Sequence, residues 1–289
     1  MTEQNSVIID SNTINSQATN KSDSGSETTL FAEPLGHIGS FVITNSLVSS
    51  WIVVAILVIF LVAAGKKVKN IPRGLQNIFE LFLEKALEMA DSVTGSRKKS
   101  EKFLPISLAL FLFILFNNWL GLLPGMGTIG FNEMNGGQKV FIPLFRGGTA
   151  DINTTLALAL FAVVASHMMG IVMIGLWNYF NKFVNIKLLL EIPTKIKKDF
   201  TVVLVNPIKV FVGLVEIISE LAKVASLTFR LFGNIFAGEV LLFSMMALFA
   251  YLLPLPFMFL ELIVGIIQAL IFSILALVYM TIATAEHEH

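Results

Sequence analysis

The chain has 289 residues, 55% hydrophobic and only 14% charged, with 20 basic residues balanced by 20 acidic ones. That composition excludes an ordinary soluble domain and fits a multi-span membrane protein, and a net charge of zero excludes a general pull toward nucleic acid. The absence of cysteine excludes disulfides, thiolate zinc sites and iron–sulfur clusters; with no nucleotide-binding loop either, no cofactor is expected.

Residues 1–33 are rich in Ser, Thr, Asn and Asp with almost no apolar pattern, which predicts a disordered polar tail without the features of a signal peptide. Residues 34–289 then read as one membrane domain. A first span is predicted at about 47–64, just long enough to cross. From about 72 to 93 the apolar residues Leu75, Ile78, Phe79, Phe82, Ala86, Met89, Ala90 and Val93 recur at three and four. Glu80, Glu84, Glu88 and Asp91 take the other side, which predicts an amphipathic helix on the membrane surface. Spans follow at about 103–123 and 151–177, separated by a Gly-rich loop too polar to lie in the membrane. Asp151, Asn153 and Thr154 are start signals for the second of these. A basic segment from Lys182 to Lys198 leads to two long apolar stretches at about 203–253 and 257–284, joined by Pro254 and Pro256.

The first of these is too long to stand upright. Fifty helical residues extend about 75 Å, against a hydrocarbon layer of about 30 Å. The expected fold class is therefore an all-α polytopic membrane protein: one single span, one surface helix, a transmembrane hairpin, and a long strongly tilted or horizontal helical hairpin. Nine Lys and Arg residues lie between Lys66 and Lys102 and five between Lys182 and Lys198, while only Lys21, Lys139 and Arg146 lie on the opposite side. This bias predicts an outer amino terminus and a cytoplasmic carboxyl terminus.

The long helix carries the chemistry. Arg230 sits deep in an apolar run, where a permanently charged guanidinium costs at least a few kcal/mol. At 100° per residue, Lys223, Glu216, Asn234 and Glu220 fall within about 80° of it, and Ser219, Ser226, Gly233 and Ala237 form a small-residue strip on its other flank. Glu239 falls about 180° away. On the last helix Glu261, Gln268, Tyr279 and Glu286 share a face, with Gly265 giving room. Glu239 and Glu261 lie toward the proline turn, and Glu216 and Glu220 toward the cytoplasmic mouth, with Arg230 between them. That order suits two half-pathways separated by a fixed positive charge. Plainer readings stand beside it: Arg230 in an ion pair with Glu220 or Glu239, Glu239 and Glu261 sharing a proton for packing, Glu216, Glu220 and Lys223 merely solvated, and Gln268 as a helix–helix contact. Asn117, Asn118 and His167 read as interhelical contacts, and the terminal Glu-His-Glu-His as solvated.

The run Arg230-Leu-Phe-Gly-Asn234, followed by Ala237-Gly-Glu239 and a downstream Gln268-Ala-Leu-Ile-Phe, resembles subunit a of the F-type ATP synthase. Ile43-Thr-Asn45, Leu122-Leu-Pro124 and Asp151-Ile-Asn-Thr154 support the likeness, which begins at about residue 34. The resemblance implies a non-nucleotide-binding stator subunit in the cell inner membrane, part of a proton-transporting complex. It would pack on a c-ring and assemble with peripheral-stalk b subunits and the rest of the ATP synthase. It implies Arg230 as the essential stator arginine, and Glu239, Glu261, Gln268, Asn234, Glu216 and Ser226 along the proton pathway, with Glu220 and Tyr279 as further candidates. Family members often carry a Glu and a His where this chain has Glu239 and Glu261, so a carboxyl pair replaces any histidine relay there. The alternatives are a sodium-translocating version of the same subunit and a secondary transporter binding an anion at Arg230, although the chain lacks the repeats typical of the latter.

Overall fold

The computed structural model describes residues 30–65, 74–123, 125–126, 129–135, 138–183, 201–249 and 252–285. The polar tail up to residue 29, most of the basic segment after residue 183, and Glu286 lie outside the described residues. Seven α-helices are described: α1 (Asn45–Gly65), α2 (Leu75–Thr94), α3 (Arg97–Gly121), α4 (Ile152–Ile174), α5 (Leu176–Phe183), α6 (Thr201–Leu248) and α7 (Pro254–Ala283). Five of them contain stretches long and apolar enough to cross a membrane: 45–63, 97–121, 152–174, 211–248 and 254–283. The chain is a mostly helical, multi-pass membrane protein.

It is not purely helical. β1 (Pro34–Ile38) pairs antiparallel with β2 (Phe41–Thr44), and β3 (Gly130–Asn135) with β4 (Gln138–Pro143). The second hairpin lies inside the segment expected to be a loop. Both are short enough to escape a periodicity search, and the first turns through Gly39 at φ 63°, where a residue without Cβ costs least.

The helices start and stop where local chemistry dictates. Asp151 caps α4 by accepting the Asn153 amide at 3.2 Å and the Thr154 hydroxyl at 3.0 Å, satisfying donors that the first helical turn leaves open. It also accepts from the Ser46 hydroxyl at 3.1 Å, which ties α4 to the start of α1, and from the Ala32 amide at 3.4 Å. Gly95, at φ 67°, closes α2 by donating its amide to Asp91 O and turns the chain into α3.

Two buried clusters hold the bundle together. Leu110, Ile114, Ala159, Leu227, Leu231 and Phe272 interlock α3, α4, α6 and α7 at mid-height, and Ala90, Phe103, Leu277 and Met280 close one end against α2. Polar contacts along the α3–α7 seam use small residues and backbone carbonyls. Ser107 donates to Ser273 O at 3.0 Å and Asn118 to Gly265 O at 3.0 Å. The bundle thus has two distinct ends. The start of α1, the end of α3, the start of α4 and both hairpins gather at the hairpin end, while α2, the end of α4 and the end of α7 gather at the α2 end.

Candidate functional site

Arg230 lies at the level of the mid-height cluster, two turns from either polar end, flanked by the buried Leu227 and Leu231. Its own side chain points away from that core and is exposed. Among the described residues it makes no ion pair. Its one side-chain bond runs from Nη2 to the Ser226 hydroxyl at 3.3 Å, and its carbonyl accepts the Asn234 amide group at 2.9 Å. Ser219, Ser226, Gly233 and Ala237 are exposed on the same flank. A Cβ added at Gly233 would meet nothing within 4 Å. The strip predicted from helical angles is therefore an open, smooth surface with a cation at its centre.

An ion pair of Arg230 with Glu239 or Glu220 is ruled out by where those carboxylates go. Glu239 accepts from Arg146 Nε at 3.2 Å and from Nη2 at 3.0 Å, a two-pronged guanidinium–carboxylate contact. Such paired, parallel bonds are among the strongest side-chain contacts. Arg146 is only 7% exposed; it also donates through Nη1 to Phe31 O at 3.1 Å, and its amide bonds the Ser49 hydroxyl at 3.3 Å. Sequence reasoning counted Arg146 only as one charge in a loop. The signal that marks it is the Gly147-Gly148 pair just after it. A Cβ at Gly148 would collide with the Asn117 carboxamide and the Ser50 hydroxyl, and Gly147 and Gly121 abut through their Cα atoms. Only glycine lets this loop press into the bundle and carry Arg146 to Glu239.

Glu33, also unremarked in the sequence, lies beside this pair. Its Oε2 is buried without a hydrogen-bond partner, and burial raises its carboxyl above the usual range, partly opposed by the Arg146 charge.

Glu261 does not share a proton contact with Glu239. It is 6% exposed on α7, and its carboxyl lies over Gly238, where any Cβ would strike it. Among the described residues no hydrogen bond or ion pair is made by Glu261. Two turns along the same face of α7, Gln268 is buried, and its Oε1 has no hydrogen-bond partner among the described residues. That is not what a helix–helix hydrogen-bond linker would show. Asn117 and Asn118, in contrast, do link helices, to Ser50 on α1 and to Gly265 on α7.

At the α2 end Glu220 accepts from Lys223 Nζ at 2.7 Å, with both side chains about one-fifth exposed. The pair is not simply solvated. Lys223 Nζ lies 5.2 Å from the centre of the Tyr279 ring, a cation–π distance, and His167 Nε2 lies 3.6 Å from Glu220 Oε2. Glu216 lies one turn earlier on α6 and is half-buried. No cluster of metal-ligating side chains occurs among the described residues.

The helix count, the isolated arginine and the flanking carboxyls can now be set beside known proteins. A family model described as ATP synthase A chain matches residues 47–281. An ATP synthase subunit a of Campylobacter jejuni (serotype O:23/36, strain 81-176) is 34% identical over 240 residues, covering 82% of this chain and 88% of its own length. One from Campylobacter concisus is 32% identical over 262 residues, covering 90% and 98%. One from Syntrophobacter fumaroxidans is 34% identical over 252 residues, covering 87% and 88%. This chain belongs to the ATP synthase A chain family. As a member it is a membrane subunit of the ATP synthase complex, serving ATP synthesis and proton transport, and is not itself an enzyme. The matched stretch contains every polar residue of α6 and α7 described above and leaves β1–β2, with Glu33, outside it.

Proposed function

We propose that this chain is the stator of the synthase's proton path, with two offset half-channels that load and unload carboxyl groups carried by a rotating c-ring. The hairpin end would face outside, with the amino terminus, and the α2 end the cytoplasm, in the cell inner membrane. Peripheral-stalk b subunits would hold the chain against rotation. The observation that carries this reading is the exposed Arg230 at mid-height of a spanning helix, without an ion pair among the described residues and set in a strip of small residues. A cation placed there for packing would be paired; one placed to meet a moving carboxylate would not.

Chemistry follows from position. A proton from outside reaches Glu261, whose carboxyl has no partner among the described residues, and passes by way of water near Gln268 and Asn234 to a ring carboxylate. Glu239 acts differently, since Arg146 already occupies its oxygens; it shapes the outer path instead of sharing a proton with Glu261. Once neutral, the ring carboxyl can turn through lipid, where its charged form would be costly. On its return Arg230 favours the ionised form, and the proton leaves past Ser226, Glu216 and Glu220. Arg230 cannot surrender its own proton, so it also bars a direct hop between the half-channels. Each charge leaking past it would waste about 2.3 kcal/mol per 100 mV.

The test is Arg230→Ala in the assembled complex. Proton-driven ATP synthesis should vanish while the complex still copurifies with its ring. Synthesis at the normal rate would end this reading.

A further inference from the structure

The α2 end holds a polar cluster that Arg230 does not explain. His167, on α4, is the one histidine among the described spanning helices. Its Nδ1 is hydrogen-bonded to the Tyr179 hydroxyl, and its Nε2 faces Glu220 Oε2 at 3.6 Å. The imidazole thus stands between a carboxylate on α6 and a phenol on α5. Tyr179 is placed there by close packing: it is 6% exposed, and its ring fills the space where a Cβ on Gly170 would be, against Ala283 O.

Two properties suit this arrangement to proton exchange. First, Tyr179 is pushed up to about 12, by burial and then by the negative charges of Glu220 and Glu216, so it remains a hydroxyl at any working pH. A hydroxyl can donate to a bare Nδ1 or accept from Nδ1–H, which gives the imidazole a partner whether neutral or protonated. Second, the His167 side chain is not sealed in the bundle, being 28% exposed, while its Nε2 faces Glu220. An imidazole has two ring nitrogens and can take up a proton at one and give it up again.

We propose that His167 is a proton relay between Glu220 and the water at the α2 end, an inference that rests on the stator reading of Arg230. In the synthesis direction a protonated Glu220 passes its proton to Nε2 and becomes a carboxylate, and the imidazolium then gives one proton to water. In the pumping direction both steps reverse. One proton enters and one leaves in each cycle. The groups facing this site are Glu220, Lys223 and Glu216 from α6, Tyr179 from α5 and Tyr279 from α7, with Arg230 further along α6. Lys223, bonded to the other Glu220 oxygen, holds that carboxylate beside the histidine.

A relay makes a demand that a mere packing residue does not. In synthesis it must be neutral to accept a proton; in ATP-driven pumping it must be protonated to give one. The experiment uses the whole complex in sealed vesicles, varying the pH at the α2 side between about 5.5 and 8.5 while a potassium diffusion potential keeps the total driving force constant. Wild-type synthesis should fall toward low pH and wild-type pumping toward high pH. His167→Gln should lower both rates several-fold and erase both slopes, and Tyr179→Phe should keep the slopes but displace their midpoints. Flat wild-type profiles, or a His167→Gln complex with unchanged slopes, would overturn the relay. If His167→Gln does not assemble with the ring, an undisplaced profile in Tyr179→Phe would overturn it instead. Arg230→Ala in the same vesicles separates the two claims: normal coupled transport in that variant sinks the stator reading, whatever His167 does.

Discussion

Two arginines in this chain show opposite solutions to the same electrostatic problem. Arg146 lies in a loop yet is nearly sealed from solvent, and its guanidinium meets Glu239 through two bonds and the Phe31 carbonyl through a third. Arg230 lies on a spanning helix yet is exposed, and among the described residues its side chain bonds a single hydroxyl. In water an exposed arginine needs no explanation. On a helix that crosses hydrocarbon, exposure means lipid or another protein, and lipid at mid-depth is costly. Among the described residues the buried cation is fully paired and the central one is not, which is the contrast behind the proposal that Arg230 meets a group on another subunit.

The comparison can be broken first at Arg146. Arg146→Ala strands the partly buried Glu239 carboxylate; breaking a fully buried pair typically costs about 3 kcal/mol or more, and this loss should clearly lower the melting temperature and yield of the complex. Arg230→Ala should leave both within the range of an ordinary surface substitution, about 0.5 kcal/mol. Combining Arg146→Met with Glu239→Gln removes both charges and should recover most of the lost stability without restoring transport. Equal destabilisation by the two alanine variants would erase the distinction between the arginines.

A smaller effect is expected at Gly238. The Cβ of Gly238→Ala must displace the Glu261 carboxyl, and misplacing a transfer group slows reaction steeply. Proton-driven synthesis should fall about tenfold with ring assembly intact; an unaffected rate would remove Glu261 from the path.

The smallest effect belongs to Glu33. Because its carboxyl is raised in the folded protein, the folded state holds that proton more tightly than the unfolded one. The resulting stability is full below the ordinary value of 4.5 and is lost as pH rises through the raised one. Glu33→Gln should therefore melt later than wild type at neutral pH, with the difference vanishing in acid. A constant difference across pH would show that Glu33 is not held protonated.

Much of this was legible in the sequence because membranes impose simple rules. Span length, small residues on one helix flank and a lone charge in an apolar run each follow from the cost of polar groups in hydrocarbon, and the strip beside Arg230 came from helical angles alone. Contacts between distant segments were not legible. Arg146 lies 93 residues from Glu239; the Gly147-Gly148 pair marks a tight approach but does not name the distant carboxylate it brings Arg146 to. Glu239 is therefore bonded to Arg146, and the plainer reading in which it shares a proton with Glu261 is not what the contacts show. The β-hairpins escaped for a different reason: strands of four to six residues carry too few alternations to register. His167 read as an interhelical contact, which it is. Only the structure shows which groups it contacts.

The claim that Arg230 faces another subunit is tested most directly from Gly233, on the same strip. The chain contains no cysteine, and a side chain at this position meets open space, so Gly233→Cys offers a unique thiol without disturbing the bundle. Labelled with benzophenone maleimide and irradiated in the assembled complex, it should attach to the small hairpin subunit of the ring. Adducts confined to lipid or to this chain itself would contradict the account.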